Sequence, residues 1–118
     1  MQNETTATIS LNLIKDIPEE EFISGRYYNN SSPIMSNKFC VLGHINRLKY
    51  GFTENGTIFS GSKFETKLRK DSKEFMEKVH HKIDEIANVN DRPTNEYPQK
   101  EIKNRVIALL TDMINRGF

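Results

Sequence analysis

The sequence predicts a mainly α-helical fold: a compact single-domain bundle of three to four helices, with a small β-hairpin near Asn55-Gly56. Three observations carry that expectation. Apolar residues recur at helical spacing through the second half of the chain. Clusters of Gly, Asn, Ser and Pro separate the periodic stretches. Asn55-Gly56, two residues that tolerate positive φ, stands between Phe52 and Ile58 or Phe59, as in a tight hairpin.

The first segment, Thr5 to Ile17, is compatible with two readings. Ala7, Ile9, Leu11 and Leu13 alternate as in a strand, while Ile9, Leu13, Ile14 and Ile17 make a helical stripe. The helix is preferred. Pro18 ends it, and the acidic run Glu19, Glu20, Glu21 suits the first turn of a short second element. The stretch from Gly25 to Pro33, GRYYNNSSP, is a loop by composition. Ser36 resembles an N-cap for a helix over about Asn37 to Tyr50, with Phe39, Cys40, Leu42 and Ile45 inward and Gly51 as the stop.

Asp71 and Glu74 have capping-box spacing. Phe75, Met76, Val79, Ile83, Ile86 and Ala87 then form one amphipathic stripe, which predicts a helix over Ser72 to Asn88, with a shorter turn around Lys63 to Lys70 before it. A polar loop holds Asn90, Asp91 and Pro93. The last helix, Pro98 to Arg116, is the clearest in the chain: Ile102, Val106, Leu109, Leu110, Met113 and Ile114 mark its inner face, and Gly117 ends it.

The 118 residues (1–118) fit one domain, large enough to bury a core without staples. Hydrophobic residues are 36% and charged residues 28%, which fits helices with broad solvated faces. The net charge of +1 carries no general signature of a nucleic-acid or membrane-surface protein. One cysteine, Cys40, excludes an internal disulfide and points to a reducing, cytoplasmic setting. The opening MQNETTATIS reads as no signal peptide, and no apolar run is long enough for a membrane span. Abundant Lys, Ile and Asn, all with A/T-rich codons, point to an AT-rich bacterium or its phage.

In order along the chain, GRYYNN, NKFCVLGHINR and IANVND precede an amphipathic last helix. This pattern resembles a family of small uncharacterised bacterial and phage proteins with a Gly-aromatic loop, a Cys-x-Leu-Gly helix start and an aromatic-Asn-Asp loop. Cys40, Leu42, Gly43, Asn90 and Asp91 match, and Val89 departs from the family's aromatic position. The resemblance implies a helical fold and no activity.

Candidate chemistry is sparse. Cys40 and His44 are one helical turn apart, the spacing of a thiol–imidazole pair, although a buried, inert cysteine is the commoner outcome. His80 and His81 point about 100° apart on a helix and have no third ligand at zinc spacing, so no metal or other cofactor is expected. No glycine-rich phosphate loop occurs. Lys63, Lys67, Arg69, Lys70, Lys73, Lys78 and Lys82 are interleaved with acids, giving pairs such as Glu65–Arg69 and Glu74–Lys78. Within that region Lys67, Arg69 and Lys70 are the candidate phosphate contacts.

The expected functional face is the loop Arg26, Tyr27, Tyr28 and Asn29, with Asn90, Asp91 and Arg92 as a second polar loop. Aromatics beside a guanidinium and amides suit a partner face or a small anionic ligand. The expected function is therefore non-enzymatic binding of a protein partner or a small anion, as in a bacterial or phage accessory or inhibitor protein. Nucleic-acid binding through the lysine-rich region and catalysis by Cys40 and His44 are the alternatives. Self-association into a homo-oligomer is open, and no membrane role is expected.

Overall fold

The computed structural model describes residues 4–28, 36–79, 85–91 and 101–118. Helix α1 runs Thr6–Ile14. The Thr5 hydroxyl caps it by accepting the Thr8 N–H at 3.2 Å. The helix ends three residues earlier than its apolar pattern suggests. Pro18 disfavours helical backbone at Ile17, and the chain closes with a tight Ile17 N–H to Ile14 carbonyl bond at 3.0 Å. Its inner edge is Ala7, Ser10 and Ile14, all fully buried. The acidic run forms the expected short element, a 3-10 turn over Glu19–Glu21. Glu19 accepts the Lys103 N–H at 2.7 Å, and Lys103 Nζ donates to the Lys15 carbonyl at 2.7 Å. The first bond fixes this turn, and the second the end of α1, against the start of the last helix.

Helix α2 is Val41–Tyr50, not Asn37 to Tyr50. Residues before Cys40 are extended because Phe39 pairs outside its own segment. Its N–H donates to the Glu21 carbonyl at 3.0 Å, and its carbonyl accepts the Ile23 N–H at 3.1 Å. Ser36 is accordingly not the N-cap; its hydroxyl donates to the Lys38 carbonyl at 2.9 Å. Cys40 is the cap, its Sγ accepting the Gly43 N–H at 3.3 Å. Gly51, at φ 75°, stops the helix as expected. The hairpin follows: Phe52 pairs with Ile58, and Gly56 at φ 77° makes the turn.

Helix α3 spans Lys63–Lys78 without a break, so the short turn and the first half of the expected Ser72–Asn88 helix are one element. Asp71 lies inside it and caps nothing. The capping residue is Ser62, whose hydroxyl accepts the Glu65 N–H at 3.1 Å, and Ser62-x-x-Glu65 is itself a capping-box spacing. The helix ends at Val79; residues 80–84, including His80 and His81, lie outside the described residues. The apolar stripe resumes on a separate short helix, α4, Ile86–Asp91. Ser72 on α3 joins the two, accepting the Ile86 N–H at 3.1 Å. Asn90 and Asp91 are thus the last turn of a helix rather than a loop.

Helix α5, Ile102–Asn115, buries Ile102, Val106, Leu109, Leu110 and Met113 as expected, plus Arg105, which was not. Pro98 lies outside the described residues. The result is a mainly helical bundle: α1 and α4 pack on α5, and α2 and α3 pack on α1 and α4 around one apolar core. No helix among the described residues is long and apolar enough to cross a membrane.

Candidate functional site

The two polar segments singled out in the sequence meet. Arg26 and Tyr27 from the first, and Asn90 and Asp91 from the second, line one cleft of about 160 Å³ together with Cys40, Val41 and Leu42 at the start of α2. Arg69, expected on a phosphate-binding face, lines the same cleft. Tyr28 sits beside it, bridged to Phe39 through the backbone. Asn29 and Arg92 lie outside the described residues.

Asn90 builds one wall. It is almost fully buried, and its side-chain oxygen accepts the Val41 N–H at 3.0 Å, satisfying a first-turn donor of α2. Its amide nitrogen donates to the Ile23 carbonyl at 2.9 Å and to Asp91 Oδ1 at 2.6 Å. Asp91 Oδ1 also accepts the Gly25 N–H at 3.0 Å. The aromatic-loop backbone is therefore held by α4. From behind, the buried Arg105 donates to the carbonyls of Val89 and Asn90, both at 3.2 Å, closing the C-terminal end of α4.

The opposite wall rests on Glu65, a carboxylate with 2% exposure. Four donors surround it: Tyr27 Oη at 2.8 Å, Asn46 Nδ2 at 2.7 Å, Gly61 N–H at 3.0 Å and Arg69 Nε at 3.0 Å. Arg69 Nη1 donates on to Glu85 at 2.6 Å. The predicted Glu65–Arg69 pair is therefore part of an interior network, where a charge is tolerated because it is paired and hydrogen-bonded. Burial, then the bond to Glu65, pushes the Tyr27 hydroxyl up to about 12. Tyr27 thus spends its polar end on the fold while it lines the cleft.

Gly43 lets these pieces close. A Cβ there would collide with the Tyr27 carbonyl oxygen and lie 3.2 Å from Phe39 Cβ. That carbonyl also accepts the Cys40 N–H at 3.3 Å. The aromatic loop thus lies directly on the first turn of α2, a closeness that only a residue without a side chain permits.

Cys40 and His44 do not form a thiol–imidazole pair. His44 is fully buried between Phe22 and Phe39, at ring distances of 4.6 and 5.2 Å. Its Nδ1 accepts from Arg47, with Nη2 at 2.9 Å, so the neutral ring donates its Nε2 proton to the Glu21 carbonyl at 2.7 Å. Neither nitrogen is left for a thiol. Burial lowers the His44 pKa to about 4 and pushes the Cys40 thiol up to about 11. A nucleophilic cysteine needs the reverse shift. No group of three metal-ligating side chains gathers among the described residues.

In the lysine-rich region, Lys67 pairs with Asp71 at 3.2 Å, and Arg69 with Glu65 and Glu85. Lys70 is exposed. Lys78 lies over the Phe118 ring at 5.0 Å.

Asn46 and Arg105 were absent from the sequence reading, Glu65 figured there only as an ion-pair partner of Arg69, and Gly43 only as part of the Cys-x-Leu-Gly pattern. The signal for Glu65 was there in two overlapping spacings, Ser62-x-x-Glu65 and Glu65-x-x-x-Arg69. Arg105 left none, since a lone arginine on an amphipathic helix ordinarily faces water. No family model, no curated protein and no solved structure matches this chain.

Proposed function

We propose that this chain is a non-enzymatic binding protein that takes an anchoring group of a protein partner into the cleft between the Gly25–Tyr27 segment, α2 and α4. The observation that carries this reading is the convergence of Arg26, Tyr27, Asn90 and Asp91 on one cleft. Its size supports an anchor rather than a large ligand: a cavity of about 150 Å³ accommodates one benzene-sized group. Its wall mixes apolar Val41, Leu42 and Ala87 with the exposed Arg26 at the rim. Such a surface suits an apolar side chain flanked by a carboxylate. A protein partner is favoured over a free anion because Arg69, the second cation of the cleft, is already neutralised by two carboxylates. The engaged nitrogens of His44 and the raised thiol of Cys40 favour binding over catalysis. A bacterial or phage accessory protein of a reducing cytoplasm, of the type the GRYYNN and Cys-x-Leu-Gly pattern resembles, fits this reading.

The test uses benzoate and phenylacetate as minimal anchors, with backbone amide NMR of the intact chain. Saturable shifts are expected at Gly25, Val41, Leu42 and Asn90, at millimolar affinity. Ala87→Phe, which fills the cleft, should abolish them. Shifts that are absent, or that persist unchanged in Ala87→Phe, would remove the assignment.

A further inference from the structure

Away from the cleft, the exposed large apolar side chains among the described residues gather in one short region: Leu48, Tyr50, Phe52 and Phe59. They come from the end of α2 and the two arms of the hairpin. Tyr50 and Phe59 are neighbours, with ring centroids 5.9 Å apart. Lys49 Nζ lies 5.7 Å from the Tyr50 ring and 4.9 Å from the ring of Phe64, in the first turn of α3. The aromatic patch is therefore continuous with the start of α3. Isolated exposed apolar residues need no explanation, but a cluster that is mostly aromatic does.

The charge beside it is mainly positive. Lys63, Lys67 and Lys70 are exposed and spaced i, i+4, i+7, so they form one row along α3 leading away from the patch. Between Lys63 and Lys70 the row covers about 10 Å of helix axis. Lys67 is held by Asp71 but is still 66% exposed. Lys63 and Lys70 have no carboxylate partner among the described residues. Across this face, Lys49, Lys63, Lys67 and Lys70 are opposed by Asp71 and by Glu54 on the hairpin, although the whole chain carries only +1. The overall charge thus conceals a local cationic strip that begins at a set of exposed rings.

We propose that this face binds single-stranded nucleic acid, with bases stacking on Tyr50 and Phe59, and on Phe52 of the same hairpin, and phosphates following Lys49, Lys63 and Lys70. Exposed aromatic rings interleaved with cations suit that ligand because every base offers a π-face, and because an unpaired strand exposes base and phosphate together. A duplex hides its bases and would use only the lysines. An acidic protein segment would satisfy the charges but has no need of three exposed rings. The inference does not rest on the cleft and uses none of its residues.

The chain has no tryptophan, so Tyr50→Trp places a single indole on the patch. Titrating that variant with a fifteen-residue oligothymidylate at 50 mM NaCl should quench it saturably. Fluorescence anisotropy of the labelled oligomer with the unaltered chain should show affinity falling steeply with salt. Tyr50→Ala with Phe59→Ala should weaken binding about tenfold or more, and Tyr50→Phe should retain it. Lys63→Ala with Lys70→Ala should reduce the slope of log affinity against log salt by about 1.4. Ala87→Phe, in the cleft, should change nothing. The proposal is overturned by no binding at 50 mM NaCl, by binding that survives loss of both rings, or by equal competition from poly-glutamate of matched charge.

Discussion

Asn90 and Val41, 49 residues apart in sequence, are joined by a 3.0 Å hydrogen bond from the first amide of α2 to a side-chain oxygen on α4. A helix start is usually capped by its own preceding residue. Here the local cap, the Cys40 thiol, serves Gly43, and the Val41 donor is met by a distant side chain. The same amide group holds the Ile23 carbonyl. Asn90 therefore fixes two segments of the cleft relative to each other.

Asn90→Ala should destabilise the fold by about 2–3 kcal/mol, because it leaves a buried N–H and a carbonyl without partners. Urea denaturation followed by circular dichroism measures this. A loss under about 0.5 kcal/mol would mean that water replaces the amide and that the cleft is not held by it.

Gly43→Ala should cost about 1–3 kcal/mol by overpacking against the Tyr27 carbonyl, although Ala ordinarily favours a helix. The added methyl meets backbone, which has little room to retreat. Amide NMR should show the disturbance at Arg26 to Tyr28 as well as on α2. A variant as stable as the parent would show that the aromatic loop is not seated on α2 in solution.

His44 makes stability depend on pH. Its pKa in the fold is about 4, against 6.5 for the free group. Between those values the unfolded chain binds a proton that the folded chain refuses, so stability is complete above about pH 6.5 and is lost as pH falls towards 4. The loss amounts to roughly 3 kcal/mol over that window. Urea midpoints at pH 7.5 and pH 4.5 should differ accordingly, and His44→Gln should flatten the difference. A profile unchanged by that substitution would show that the imidazole does not stay neutral in the core.

What the sequence displayed, and what it hid, follows from the range of the forces involved. The inner face of α5 was legible because helical spacing alone decides it, and the turn at Asn55-Gly56 because two residues' backbone preferences decide it. The start of α2 was misplaced by four residues, since Phe39 pairs with the Glu21–Ile23 segment and no local pattern announces that. The break between α3 and α4 was hidden by an apolar stripe that continues in phase across it. At the cleft, Tyr27 and Asn90 stood out as residue types that favour recognition and turns. Much of their chemistry, however, is spent on holding the backbone. Glu65 was read only as the partner of Arg69 on a solvated helix face, because its burial depends on donors from three other stretches of chain.

The packing of α1 on α5 has a consequence for how the chain folds. These two helices are far apart in sequence yet packed together, so their contact closes a loop spanning most of the described residues, and that loop entropy must be lost before the contact stabilises anything. Ala7 and Ile14 share one core with Val106 and Leu110. Docking of α1 on α5 is therefore expected late on the folding path, and substitutions between them should speed unfolding more than they slow folding.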